Sequence, residues 1–494
     1  MSVSKTNRQL LSKDRFMKPP HSPQCFGLIV YPTGMGKTVA GALIIQEYLF
    51  TNKDAIVHIV YPITGLDTNW IRALHFVRNN NLVDCDSNFE DRIQFYSAQK
   101  AILNNIILNC NLLVVDEIHE FTSENRLNLI NNNLIKRKHL LGLTATPNPS
   151  INKLVPIIDI VYEKEAIEND WISNYIEFNY GIYMSDDEQS EYDLITSNMQ
   201  RAGEIFGKNT LDTVMRCVQG GQDSQGKMYP ADMWCLMVAK KNGWKEQLNL
   251  QKPEDREIHT VFSPDMIKGY ANIYMRNVRD RKNLVYQANS KILACLKIIQ
   301  KFDNLKTITF GESIKFAEKL NDEINSYYKN TIEFNINDKK TINAPFGNYE
   351  ISHAYHSSLE AKMYPSPKTG KLIKFGAKRL KDRTIEMLRN NEIRIANTAN
   401  SFDTGIDIED VRLGLIASRK QSKDQRTQRG GRVKRKEFSN EAKVIIVNLY
   451  FKGTIDETWL KNSQENDKLN VYIVDNLDDI NFNPKKQPLS KINL

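Results

Sequence analysis

The chain has 494 residues, 41% hydrophobic and 26% charged, with a formal net charge of +8 and a pI near 8.9. That length exceeds the ~250–300 residues one hydrophobic core usually serves, so at least two domains are expected, and the composition is that of a folded, soluble chain. The positive charge favours a polyanionic partner but serves solubility equally well.

The six cysteines, Cys25, Cys85, Cys110, Cys217, Cys235 and Cys295, are scattered without C-x-x-C pairs, which predicts reduced thiols rather than disulfides, zinc or an iron–sulfur cluster. No apolar stretch is long enough to span a bilayer, and the polar segment Met1 to Lys13 does not read as a signal peptide. The expected location is the cytoplasm, or a host cell's cytoplasm if the gene is viral, with no membrane partner. Abundant Asn, Ile and Lys point to an A·T-rich genome.

In chain order, Phe26 to Tyr31 is a short apolar run of the kind buried in a parallel sheet, and Val39 to Phe50 has helical periodicity without a breaker. Between them lies Pro32-Thr33-Gly34-Met35-Gly36-Lys37-Thr38. Its glycines let successive backbone N–H groups wrap a phosphate, and the following helix N-terminus adds partial positive charge. Thr33, Gly34, Met35 and Gly36 form the cradle. Lys37 is placed to reach the β- and γ-phosphates, and the Thr38 hydroxyl to bind Mg²⁺. The general pattern G-x-x-x-x-G-K-[ST] has Tyr31, not glycine, at its first position. The loop alone implies a nucleoside triphosphate with Mg²⁺.

Ile56 to Pro62 predicts a second inner strand, and Arg92 to Gln99 a strand and turn in which Ser97 is either a helix cap or a backbone contact. Leu112-Leu113-Val114-Val115 runs straight into Asp116 and Glu117, so both carboxylates emerge at a strand's C-terminal end, where α/β sheets bind ligands. Asp116 suits Mg²⁺ binding through water, and Glu117 suits orienting and deprotonating an attacking water. After Leu140 to Leu143 comes Thr144-Ala145-Thr146-Pro147, whose threonines either hydrogen-bond near the carboxylates or form an ordinary strand-end turn.

Between Ser185 and Lys291 the pattern breaks. Gly220 to Gly226 is a turn-rich loop flanked by Arg216, Lys240, Lys241, Lys245, Tyr229, Trp234 and Trp244. Basic residues interleaved with aromatics suit a clamp over a nucleic-acid strand; the other reading is an insertion with its aromatics in a small core. Lys306 to Ser313 with an amphipathic stretch to Ile324, then Ile393 to Ala396 leading to Phe402-Asp403-Thr404-Gly405-Ile406-Asp407, come next. Lys362 to Lys381, rich in lysine with Pro365, Pro367 and Gly370, reads as an exposed hairpin or loop that either tracks phosphates or is a solvated face. Gln428-Arg429-Gly430-Gly431-Arg432-Val433-Lys434-Arg435 follows, and Asn481 to Leu494 reads as a loose tail.

The order of these motifs resembles superfamily 2 helicases and translocases, over roughly residues 8 to 175 and 290 to 460. The resemblance implies an α/β fold: two tandem RecA-like P-loop NTPase domains with parallel sheets, plus a mostly helical insertion. It places domain 1 at 1–175, the inter-lobe insertion at 176–290, domain 2 at 291–460 and a C-terminal tail at 461–494. Asp116-Glu117-Ile118-His119 resembles the family's second motif, and Thr144 to Pro147 the third, which couples hydrolysis to movement. Gln428 to Arg435 fits the sixth motif, Q-R-x-G-R-x-x-R, at every position. This makes Gln428, Arg432 and Arg435 catalytic candidates, the arginines as fingers on the γ-phosphate.

Phe402 to Asp407 is similar to the family's fifth motif, which makes Gly405 and Asp407 ATP-sensing candidates, and Gln9 in Arg8-Gln9 stands where related enzymes have their adenine-reading glutamine. Thr64 to Trp70 is similar to the backbone-contacting motif Ia. Nucleic-acid candidates are therefore Thr64, Thr68, Asn69, Ser97, Ser313 and Thr404, with Trp70 either stacking on a base or anchoring the core. Leu143 to Pro147 and Tyr355-His356-Ser357 look more like UvsW-, RecG- and XPB-type DNA helicases than DEAD-box RNA helicases. The implied function is ATP-dependent movement along, unwinding or remodelling of DNA, branched DNA included, with partners in a replication, repair or transcription complex. The alternatives are an RNA helicase, or a motor subunit of a restriction or transcription complex.

Overall fold

The computed structural model describes residues 4–18, 24–62, 67–85, 88–103, 109–128, 130, 136–208, 210–334, 350–365, 371–399, 408, 410–418, 429, 433, 443–463 and 471–484. Two all-parallel sheets organise most of them. The first holds β1 (Phe26–Val30), β2 (Val57–Tyr61), β3 (Ile93–Ser97), β4 (Asn109–Asp116), β5 (Lys136–Thr144) and β6 (Ile157–Ile160), in the order β3-β2-β4-β5-β1-β6. The inner strands read as continuous apolar runs because helices cover both faces. The helix Lys37–Thr51 crosses close over the helix Asp67–Asn79, since Gly41 stands where a Cβ would lie 2.6 Å from the Trp70 ring.

The second sheet is built from β7 (Tyr175–Ile182), β10 (Thr307–Gly311), β11 (Ser352–Tyr355), β14 (Ile395–Ala399), β15 (Leu413–Ile416), β16 (Val444–Phe451) and β17 (Val471–Val474). Its order is β11-β14-β10-β15-β16-β7-β17. Two parallel sheets with flanking helices make two RecA-like lobes. The sheet change falls between β6 and β7, so Tyr175 to Ile182, assigned mainly to the insertion from sequence, is a strand of the second lobe. The segment from 461, read as a tail, contributes β17, which pairs with β7 and sets Tyr472 beside Phe178 at a ring distance of 5.6 Å. Four residues among polar neighbours are too short a run to stand out without that partner.

Tyr183–Leu293 forms a compact unit of its own. It is mostly helical, with one small hairpin of β8 (Gly221–Gln222) and β9 (Met228–Tyr229). Its helix Asp186–Gly203 begins at a capping box in which Ser185 and Glu188 satisfy each other's backbone N–H groups. Phe206, Val214, Cys217, Cys235, Val238, Ile267 and Ala271 form its core, with Trp234 and Trp244 packed against it. The Trp234 N–H donates to the Gly221 carbonyl at 3.1 Å under the Arg216 guanidinium, 4.8 Å from the ring, and Trp244 stacks on His259. Trp234 and Trp244 are thus half-buried against this core, the arrangement that the packing alternative describes.

Lys362 to Lys381 holds an antiparallel hairpin, β12 (Lys362–Pro365) with β13 (Leu372–Phe375). Among the described residues no helix is long and apolar enough to cross a membrane.

Candidate nucleotide site

Strands β4, β5 and β1 are neighbours, so their C-terminal ends bring the carboxylates, Thr144 and the phosphate-type loop to one edge of the first sheet. The Tyr31 N–H donates to the Thr144 carbonyl at 2.9 Å and closes the strand end. Gly34 and Gly36 then take φ of 93° and 83°, left-handed values that require glycine, and the helix Lys37–Thr51 starts directly after Gly36. The Thr33 hydroxyl is buried in this loop and has no hydrogen-bond partner among the described residues. A turn of glycines, an unsatisfied hydroxyl and a helix N-terminus together fit a polyphosphate. Thr38 lies in the first helical turn, and Met35 is buried beneath the loop.

The Lys37 ammonium donates to Glu117 Oε1 at 2.8 Å, tying loop to carboxylates. Asp116 is 7% exposed and accepts from the Trp70 indole N–H at 3.1 Å and the Glu117 backbone N–H at 3.0 Å. Burial, then the Glu117 charge, push the Asp116 carboxyl up to about 6, against the pull of Lys37 and Trp70. Trp70 is therefore a core anchor, as one sequence reading had it, with an added role as donor to Asp116. Glu117 takes φ 46°, an unusual value for a side-chain-bearing residue, and this turns the chain after β4. His119 Nδ1 is 2.8 Å from the Thr144 hydroxyl and 3.5 Å from Glu117 Oε2, and Thr144 Oγ1 also accepts from the Thr146 N–H. The third motif is thus hydrogen-bonded to the second through His119.

The Tyr31 departure has a structural cause. Its ring is fully buried, and its hydroxyl meets Ser12, Arg8 and Asp159 behind the loop. Asp159 on β6 takes both Arg8 nitrogens at 2.7 and 2.8 Å and is also bound by Ser12 and Arg15. Burial acts to raise its pKa, but the hydrogen bonds from Arg8 and Ser12 and the charges of Arg8 and Arg15 outweigh it and hold it below the usual carboxylate range. This network pins the helix Lys5–Met17, which in turn grips the loop. The Gln9 amide donates to the Met35 and Gly36 carbonyls at 2.9 and 3.2 Å, and Lys5 Nζ to the Gly34 carbonyl at 2.7 Å. In the structure, Gln9 is thus an anchor on the loop backbone.

Asp159→Ala strands the buried Arg8 guanidinium and should cost the first lobe about 3 kcal/mol. Because the folded pKa is lowered, the stabilisation is present above the ordinary aspartate range and is lost as pH falls through the lowered value. The melting-temperature gap between wild type and variant should therefore narrow on acidification. A gap that widens would contradict this assignment.

In the second lobe, Arg429 is 1% exposed, donates to Glu312 Oε1 at 2.6 Å and to the Ser418 carbonyl at 2.7 Å, and lies over Phe310. The Glu312 N–H donates to the Ser418 hydroxyl. Arg429 therefore ties the sixth motif to the end of β10, a role missed in sequence although Arg429 stands in the motif itself. Ser97 and Ser313 accept from the N–H groups of Lys100 and Phe316, so both cap helices. Asn69 lies in the first turns of the helix Asp67–Asn79. Thr64, Thr404, Gly405, Asp407, Gln428, Arg432 and Arg435 lie outside the described residues.

The family model described as "Type III restriction enzyme, res subunit" matches residues 7–149. The DNA 3'-5' translocase XPB2 of Sulfurisphaera tokodaii is 23% identical over 445 residues, 87% of this chain and 79% of that protein. Among solved structures, the Hef helicase domain of Pyrococcus furiosus aligns with a TM-score of 0.44 at 15% identity, over 92% of this chain and 97% of that one. S. cerevisiae Dbp5 bound to RNA and ADP BeF3 aligns with a TM-score of 0.47 at 12% identity, over 97% and 94%. The family-model match runs through the loop and both carboxylates just described, and the similarity to a DNA translocase extends over most of the chain.

Proposed function

We propose that the protein is a DNA helicase or translocase that couples Mg²⁺-dependent ATP hydrolysis to movement along, or remodelling of, DNA. The observation that carries it is the Lys37–Glu117–Asp116 cluster at the C-terminal edge of a RecA-like sheet; the choice of DNA is supported by the likeness to a DNA translocase. In this reading the loop N–H groups from Gly34 to Thr38 bind the phosphates and Lys37 neutralises the β- and γ-oxygens. Thr38 and Asp116 would hold Mg²⁺, which supplies further charge neutralisation. Glu117, oriented by its turn, takes the proton of the attacking water, and His119–Thr144 relays its position to the third motif.

From the second lobe, Arg432 and Arg435 stabilise the transferring phosphoryl group, with Gln428 beside them, while Gly405 and Asp407 sense the nucleotide. Thr64, Asn69 and Thr404 would touch the nucleic-acid backbone; Ser97 and Ser313 would do so only beside their capping roles. In this reading the first domain ends with the connector after β6, and the second runs from β7 through β17 around the inserted unit.

The test is the ATPase rate measured with single-stranded, duplex and branched DNA and with RNA at matched salt. DNA should raise the rate, and stimulation by RNA alone would overturn the reading. The match to a restriction-enzyme subunit favours a second reading, a motor within a larger complex. Hydrolysis that appears only when a second polypeptide is added would select it.

A further inference from the structure

The stretch from 361 to 381 carries seven lysines and arginines and no aspartate or glutamate. The β12–β13 register sets Met363 opposite Lys374 and Pro365 opposite Leu372. Side chains alternate across a hairpin, so Met363, Leu372 and Lys374 share one face, with Met363 and Leu372 diagonal neighbours. The other face carries Phe375, which is buried and covered by the Arg379 guanidinium 3.9 Å from its ring. The first face therefore points to solvent, and there Met363 is 56% exposed and Leu372 63%.

Lys374 on this face, Lys371 just before β13 and Lys378 at the start of the helix Ala377–Arg389 are all exposed, and among the described residues none has a carboxylate within ion-pair distance. A single exposed leucine or a lysine-rich turn is ordinary surface. Here, however, two apolar side chains share a register-defined face with Lys374, and Lys371 and Lys378 flank that strand in the chain. An acidic partner surface would meet the charges, but a single strand meets both: its phosphates suit the lysines, and its unstacked bases present flat apolar faces that a duplex hides.

We propose that the solvent face of the β12–β13 hairpin, Met363, Leu372 and Lys374, together with the flanking Lys371 and Lys378, is a contact surface for single-stranded nucleic acid. This rests on the motor reading above and adds a strand contact that none of the family motifs supplies.

The test uses the full chain, with binding to oligo(dT) and to a duplex of equal length followed by fluorescence anisotropy across a salt series. Lys371→Glu/Lys374→Glu/Lys378→Glu should weaken oligo(dT) binding about tenfold or more at low salt and make the slope of log affinity against log salt shallower by about 2. Met363→Ser/Leu372→Ser should weaken oligo(dT) binding roughly tenfold and leave duplex binding unchanged. Melting temperatures check that each variant is folded, and Lys→Gln replacements substitute if charge reversal unfolds the hairpin.

Wild-type affinity and slope in the lysine variant would overturn the proposal, leaving the face for a protein partner or plain solvent. Equal losses on both polymers in the Met363/Leu372 variant would overturn its single-strand part. A wild-type protein that binds no nucleic acid at all would instead count against the motor reading.

Discussion

Lys37→Ala is expected to abolish ATP turnover, with a loss of about a thousandfold or more, while affinity for nucleic acid without nucleotide changes little. Lys37 is the cation that meets Glu117, at 2.8 Å, and Glu117 stands directly beside the buried Asp116. Removing it takes away the charge that would face the β- and γ-oxygens. It also takes the Lys37 charge away from two adjacent carboxylates, so Asp116, already pushed up to about 6, moves further toward its neutral form. Both effects act on the nucleotide, whereas the candidate backbone contacts lie on other segments. Steady-state phosphate release and anisotropy on the same preparation separate the two quantities. Turnover at the wild-type rate would refute the assignment of this loop.

Arg432→Ala should lower kcat by about 10³-fold or more and leave nucleotide affinity within a few-fold, because a finger acts on charge that develops in the transition state. The neighbouring Arg429 provides an internal contrast. Its guanidinium is buried against Glu312 and Ser418, so Arg429→Ala removes a buried charge partner of Glu312 and should cost about 3 kcal/mol of second-lobe stability. The two substitutions, three residues apart in one motif, thus predict opposite signatures: lost turnover at an unchanged melting temperature for Arg432, and a lowered melting temperature for Arg429. Equal losses of kcat and nucleotide affinity in Arg432→Ala would mean that Arg432 merely binds ATP.

Much of the site was legible because its chemistry is local. A buried strand, two glycines with left-handed φ and a helix start fall within one dozen residues, and Asp116 and Glu117 follow their own strand without a break. What was hidden depends on distant partners. Tyr31 looks like a defect in the loop pattern until Asp159, 128 residues away, is seen to accept from its hydroxyl. The Trp70 donor to Asp116 lies 46 residues upstream of it. Tyr229, Trp234 and Trp244 read equally well as a clamp or a core, because periodicity cannot say whether an aromatic finds cover. The hairpin from Lys362 was anticipated from its prolines, glycine and lysines, while the face it shows to solvent needed the strand register.

The placement of β7 bears on how the chain reaches its native state. β7 lies between β16 and β17, and its Asn179 side chain accepts from Asn448, 269 residues later. During synthesis the first lobe can close as soon as β6 emerges, since every strand it needs is already present. β7 then has to wait, with both edges unpaired, while the separate helical unit and most of the second sheet are made. Loop closure over such a span is slow, and an unpaired apolar strand is a template for wrong partners. Truncations that remove β16 should therefore yield a soluble first lobe only when the cut precedes Tyr175; cuts placed after β7 should give aggregates.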